Sequence, residues 1–241
     1  MENITHKATP STETVGSVVA RDFRTAEILE KYGLDFCCGG SVPLEQACRE
    51  KGIDLEALKR ELEQATSRPQ DRAQNYDAWE LPFLSDYIVN QHHGYLKEAI
   101  PTIVAYADKI AQVHGGNHPE VVQIAQIFRK VATDMMQHLK SEEEQLFPAV
   151  RRLTELKKSG ETPDPEEAGR LKAVLAELGH EHDEVGAAVH EIRRLSGNYA
   201  VPDDVCNTFM VTYRKLKEFE DDLHKHVHLE NNILFPKAAK L

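Results

Sequence analysis

His226-Val-His-Leu-Glu230-Asn-Asn-Ile-Leu-Phe235-Pro236, near the C-terminus, repeats an earlier phrase, His138-Leu-Lys-Ser-Glu142-Glu-Glu-Gln-Leu-Phe147-Pro148. His, Glu, Phe and Pro recur together at an offset of 88 residues (138 to 226, 142 to 230, 147 to 235, 148 to 236). A further histidine ahead of each phrase recurs almost in step, His93 and then His182, 89 apart. The pattern is that of an internal duplication. On a helix, His and Glu four apart lie one turn apart on one face. Four helices that bring four imidazoles and two carboxylates to a common centre describe a two-metal site.

The text around these phrases is helical throughout, with no window of strict alternation, so the expected fold class is all-α. From Trp79, one segment runs from Leu81 to Val113 and stops at His-Gly-Gly-Asn-His-Pro119. A second runs from Pro119 to Leu156, with Pro148 kinking or restarting it; a third runs from Pro165 to Leu195; a fourth follows SGNYAVPDD and reaches Phe235. Four long helices on short connections predict an up-down-up-down bundle over residues 79–241.

Periodicity selects which of the 12 histidines face the core. Val89, His93, Leu96, Ile100, Ile103, Ala107 and Ile110 form one stripe; Ile124, Ile127, Val131, Met135, His138, Glu142 and Leu146 form the second. Leu171, Leu175, Leu178, His182, Val185, Val189 and Ile192 form the third; Leu216, Phe219, Leu223, His226, Glu230 and Ile233 form the fourth. His92, His180, His224 and His228 are expected off these stripes, with His92 the one alternative to its neighbour His93. A buried carboxylate without a partner is costly, because desolvation disfavours its charge. Bound cations compensate such a set better than a hydrogen-bonded polar layer does. Calcium and magnesium prefer all-oxygen shells and structural zinc prefers thiolates. Mixed nitrogen and oxygen ligands around two adjacent metals suit iron, with manganese or zinc as alternatives.

Upstream, residues 14–65 read as a small helical domain and 66–78 as a linker, while residues 1–13 read as disordered. Gly33 and Gly52 are expected to end helices and Ser41-Val-Pro43 to start one. Between them lies Leu34-Asp-Phe-Cys37-Cys38-Gly-Gly40. A thiol just ahead of a helix start can be acidic and reactive, whereas a buried structural pair on a glycine turn is the equal alternative. Cys48 and Cys206 fall in helical text and read as core residues. A formal charge of −11 without a basic cluster argues against nucleic acid or an anionic membrane surface as partner. Four cysteines make no disulfide framework in 241 residues, and neither a secretory leader nor a membrane span is legible, so the expected compartment is a reducing cytoplasm.

LDFCCGG, HHGYLKEAIP, EHDEVG and HVHLENNILFP, in this order, resemble the Repair of Iron Centres family, whose hemerythrin-like bundle follows a small Cys-Cys domain. The resemblance covers nearly all of residues 14–241. It implies that His93, His138, Glu142, His182, His226 and Glu230 hold two iron ions with an oxo bridge, and that Cys37 and Cys38 are redox or partner thiols. It further implies repair of iron–sulfur clusters damaged by oxidative or nitrosative stress, damaged or apo iron–sulfur proteins as partners, nitric oxide or oxygen as small ligands, and homodimers. Reduction of nitric oxide at the iron pair, and binding or sensing of nitric oxide or oxygen, are the competing functions, because all three use the same six ligands.

Overall fold

A computed structural model describes residues 13–67 and 74–241. The disordered tail read over 1–13 lies, except for Glu13, outside the described residues, as does the middle of the stretch read as a linker. The chain divides into two compact units between Ala78 and Trp79. Among the described residues there is helix and no strand, only one isolated bridge between Thr14 and Pro43.

The first unit holds α1 (Val15–Arg21), α2 (Ala26–Lys31), α3 (Leu44–Lys51) and α4 (Leu55–Thr66). Thr14 and Ser17 close a reciprocal capping box at the start of α1. The helical text after Val15 is interrupted at Asp22, whose backbone is extended. Its carboxylate accepts the Arg24 amide at 3.1 Å and pairs with the Arg24 guanidinium, so the side chain competes with helix continuation. Gly33 and Gly52, both at φ +66, end α2 and α3 in the left-handed conformation that a side chain resists. Val18, Leu29, Leu44 and Leu58 form the core. Tyr76 is also buried, its ring edge-on to Phe23 at 6.3 Å, and opens a 3-10 turn, Tyr76–Ala78. The described end of the expected linker is thus packed structure.

The second unit is a bundle of four long helices, three of which contain a π-turn. The first comprises α5 (Leu81–Ile88), a π-turn (Val89–His93) and α6 (Gly94–His114). The second comprises α7 (Glu120–Ser141), a π-turn (Glu142–Leu146) and α8 (Phe147–Ser159). The third is α9 (Pro165–Leu195), capped by Asp164. The fourth comprises α10 (Asn207–Leu229), a π-turn (Glu230–Leu234) and α11 (Phe235–Ala238). α6 packs on α7 and α10, and α9 on α7 and α10, which is the ring expected when consecutive helices are neighbours.

Each π-turn is closed by an amide bonding five residues back: Gly94 to Val89, Phe147 to Glu142, Phe235 to Glu230. Pro148 and Pro236 then stand in the first turn of a restarted α-helix, where a missing N–H is tolerated. The extra residue also shifts the register of the first helix. Ahead of the turn the buried face is Leu81, Leu84 and Ile88, and Val89 is only half-buried; beyond it the face is His93, Leu96, Ile100, Ile103, Ala107 and Ile110.

Away from the polar centre the bundle is filled by apolar layers, in which Phe128 meets Phe219 edge-on at 5.1 Å with both rings fully buried. Phe128→Ala is expected to lower the unfolding free energy of the intact chain by about 3–5 kcal/mol, the usual cost of an aromatic cavity. Denaturant titration followed by far-ultraviolet circular dichroism measures it, and a loss under about 1 kcal/mol would mean the layer collapses around the deletion.

Candidate metal centre

Each element delivers its part of the centre by simple helical geometry. His138 occupies the last turn of α7 and Glu142 opens the π-turn four residues on; His226 and Glu230 do the same at the end of α10. His93 closes the first π-turn, and His182 lies mid-way along α9. All six side chains are buried, with both carboxylates at 0% exposure. They form two overlapping groups, His93, Glu142, His226, Glu230 and His138, Glu142, His182, Glu230, each with its ligand atoms within 4.8 Å of one another. Glu142 and Glu230 belong to both.

Nε2 of His93 and of His138 lie 3.3 and 3.4 Å from Glu142 Oε2. Nε2 of His182 and of His226 each lie 3.2 Å from a Glu230 oxygen. All four carboxylate oxygens are nevertheless buried without a hydrogen bond. The distances are short, but the contacts do not have hydrogen-bond geometry. Outside the cage, His93 Nδ1 donates to Glu143 at 2.7 Å, His138 Nδ1 to Glu181 at 2.6 Å and His182 Nδ1 to the Asn231 amide oxygen at 2.9 Å. Those bonds place the proton on Nδ1 and leave Nε2 lone pairs pointing inward, the arrangement of metal-ligating imidazoles. Nε2 of His138 and His182 are only 3.0 Å apart. Two facing lone pairs at that distance need a proton or a cation between them. The donor set fits a pair of cations: four imidazole nitrogens, and two carboxylates each within reach of both positions.

Without a cation, protons do the holding. Burial opposes charge on His138, but the Glu142 carboxylate, with Glu230 and Glu181, outweighs it and pushes its pKa up to about 10. His93 is raised against burial by Glu142, Glu230 and Glu143. His226 is lowered, because burial outweighs Glu230. Burial and mutual repulsion push Glu142 up, yet His138 and His93 bring it below the ordinary range; His226 and His182 bring Glu230 well below it against burial.

Of the histidines expected off the stripes, only His180 is exposed, with its side chain at 76%. His92, His224 and His228 are buried, contrary to the helical-wheel expectation. The π-turn brings His92 inward beside His93, where its ring stacks on His226 at 5.6 Å and its Nδ1 meets Asp222 at 3.0 Å. The C-terminal end of α10 and its π-turn pack on α5 and the first π-turn as well as on α9, so several faces are covered at once. None of His92, His180, His224 and His228 belongs to the two four-residue groups, which together comprise six residues. Glu143, Glu181 and Asn231 escaped the sequence reading, although each is the chain neighbour of a cage residue and serves a histidine on another helix. A groove of about 800 Å³ between α7 and α9, lined in part by Met135, Val185 and Ala188, reaches His138 and Glu181.

The thiols differ from expectation too. Cys37 is buried and its pKa is raised by the adjacent Cys38, by burial and by Asp35, so it is not the acidic thiol a helix start suggested. The Cys37 and Cys38 amides, at 2.9 and 3.1 Å, bond Asp35 Oδ1 instead. Cys48 is buried as expected, whereas Cys206 is exposed at the start of α10. His114 Nε2 lies 3.1 Å from its sulfur and lowers its pKa to about 7.

Residues 84–238 match the hemerythrin HHE cation binding domain, and residues 11–66 match ScdA_N, a domain of unknown function (DUF542). The chain is 32% identical over 215 residues to the iron-sulfur cluster repair protein ScdA of Staphylococcus haemolyticus, covering 89% of this chain and 92% of that one. It is 34% identical over 216 residues to the probable iron-sulfur cluster repair protein of Haemophilus influenzae, covering 88% and 90%. To the iron-sulfur cluster repair protein YtfE of Yersinia pseudotuberculosis it is 28% identical over 228 residues, covering 95% and 97%.

Cation uptake must displace the protons that His93 and His138 hold above their ordinary range, so it should release protons, and affinity should rise with pH through the neutral range. Indicator titration with a divalent metal in weak buffer reads this; uptake without proton release would place the metal elsewhere. Glu181→Ala should weaken binding about 10–100-fold by freeing His138 Nδ1, while His180→Ala leaves the metal content unchanged. Elemental analysis at matched free metal separates the two.

Proposed function

The chain belongs to the hemerythrin HHE cation-binding family, and from that premise we propose that it repairs iron–sulfur clusters damaged by oxidative or nitrosative stress, donating iron held in the bundle. The observation that carries the reading is that likeness to iron–sulfur cluster repair proteins runs through both units, over nine-tenths or more of the relatives' length. The partner class is accordingly damaged or apo iron–sulfur proteins. No helix among the described residues is long and apolar enough to cross a membrane.

In this reading His93 and His226 would hold one iron, His138 and His182 the other, Glu142 and Glu230 would serve both, and an oxide bridge would complete the oxidised centre. Iron supplies cargo whose retention depends on its oxidation state. Four imidazoles are neutral donors, so apart from the oxide only the two carboxylates offset the charge of two buried cations and leave it partly uncompensated. The oxide would be the ferric pair's main anionic partner; an outside reductant that takes both irons to ferrous, with two protons removing the oxide as water, would leave the iron to the two carboxylates and neutral imidazoles and make it labile. Glu143, Glu181 and Asn231 fix three of the rings, and the groove beside His138 gives nitric oxide or oxygen a way in. Cys37 and Cys38 act as thiols toward the client or a redox partner.

Two measurements test this. Iron passing to a ferrous chelator at fixed pH should leave reduced protein much faster than oxidised protein. Equal, slow release from both states, with turnover of nitric oxide, would replace donation by nitric oxide reduction. A stable, reversible oxygen adduct would instead favour a carrier or sensor. The Cys37→Ser/Cys38→Ser variant should keep the visible spectrum of the bundle iron and lose cluster restoration on an inactivated iron–sulfur enzyme; full restoration would remove the thiols from the mechanism.

A further inference from the structure

Outside the bundle centre, the first unit holds a compact set of ligand-type side chains: Asp35, Cys37 and Cys38 offer a carboxylate oxygen and two sulfurs within 4.8 Å of one another. We propose that this turn is a second metal site, an Asp–Cys–Cys clasp for a thiophilic divalent cation, zinc(II) or iron(II), with its fourth position open to an outside donor.

Geometry carries the assignment. The two sulfurs lie 3.9 Å apart. Two thiolates on a tetrahedral ion, with metal–sulfur bonds of about 2.3 Å, are separated by about 3.8 Å. The bite is thus set before any ion arrives. Asp35 Oδ1 lies 3.1 Å from the Cys37 sulfur while also accepting both cysteine amides, so one carboxylate fixes the backbone that aims the sulfurs and stands beside them as third donor. Gly39 is what lets the chain close over Asp35, since a Cβ there would stand 2.9 Å from the Asp35 carbonyl oxygen. The turn is tied to the start of α1, where the Gly16 amide bonds the Gly40 carbonyl at 2.8 Å and the Val15 amide bonds that of Val42 at 3.0 Å.

Charge and access agree with the geometry. Cys37 is buried, but Asp35 and Cys38 are half-buried, so an ion can enter from their side. In the free turn the Cys37 thiol donates to Asp35. Cation binding replaces the two thiol protons, which leave to solvent, and three anionic ligands around one dication leave a single net negative charge. Soft thiolates select zinc(II) or iron(II) over magnesium or calcium. A further group among the described residues, His190, Glu220 and His224, is less suited. Its Glu220 already accepts Arg193 Nε at 2.9 Å through both oxygens and Tyr199 at 2.7 Å.

Cobalt(II) is the probe, because thiolate-to-cobalt charge transfer reports sulfur ligation and the bundle cage has no sulfur. Metal-free full-length protein titrated with cobalt(II) should develop that band, saturating at one sulfur-ligated ion per chain, and zinc(II) or iron(II) should abolish it by displacement. The band should vanish in Cys37→Ser/Cys38→Ser, persist in Cys206→Ser, and require roughly tenfold more cobalt in Asp35→Asn. Far-ultraviolet circular dichroism and the cobalt content of the bundle show that each variant is folded. The proposal is overturned by absence of the band in the parent, by its survival in the double variant, by its loss in Cys206→Ser, or by unchanged affinity in Asp35→Asn. The site stands or falls apart from the repair reading: a chain with the sulfur–cobalt band but no cluster restoration would keep this site and lose that function.

Discussion

Two carboxylates, Glu142 and Glu230, are fully removed from water with none of their four oxygens hydrogen-bonded, and the bundle is arranged around that fact. A buried ionised carboxylate needs positive charge close by, because desolvation alone costs several kcal/mol or more. His93 and His138, whose pKa values those carboxylates raise, supply it as imidazolium when the cage holds protons, and in the proposed reading cations held by all four imidazoles would supply it instead. The same six groups therefore support the fold and, in the proposed reading, would also hold the metal. Three of the rings are pinned from outside by Glu143, Glu181 and Asn231, each attached to the chain beside a cage residue on another helix. Ring orientation in one helix is thus fixed by the register of the next.

The π-turns reconcile this cage with a continuous helix. Placing His and Glu four apart stacks both on one face, but the apolar face must continue beyond them to Leu146 and Phe147, or to Ile233 and Phe235. One extra residue per turn re-aims the face without breaking the helix, and the proline that follows restarts α-geometry at a position that needs no N–H. The duplicated Leu-Phe-Pro is in this sense the exit from the site. In the first helix the same device carries His92 inward and makes it a stacking partner of His226.

The first unit shows a similar economy. Asp35 takes the two cysteine amides that would otherwise look for partners, and in doing so brings the thiols to a separation suited to one tetrahedral ion. The consequence for Cys37 is the reverse of activation by a helix start: an adjacent thiol, burial and a carboxylate all favour the protonated form.

What the sequence determined by itself was set by period and repetition. The all-α class, the course of the four long helices and the convergence of His93, His138, Glu142, His182, His226 and Glu230 are all legible there, because a residue's face on a regular helix depends only on its spacing from its neighbours. The exposure of His180 follows from the same rule. Tertiary structure decided the rest. His92 is buried because a π-turn departs from the 3.6-residue period, and His224 and His228 because the end of α10 is covered from several sides at once. Cys206 meets His114 across 92 residues of chain, and Asp35 intercepts the amides of Cys37 and Cys38. Spacing along the chain cannot encode such contacts, since they depend on which faces the packed helices and loops present to one another.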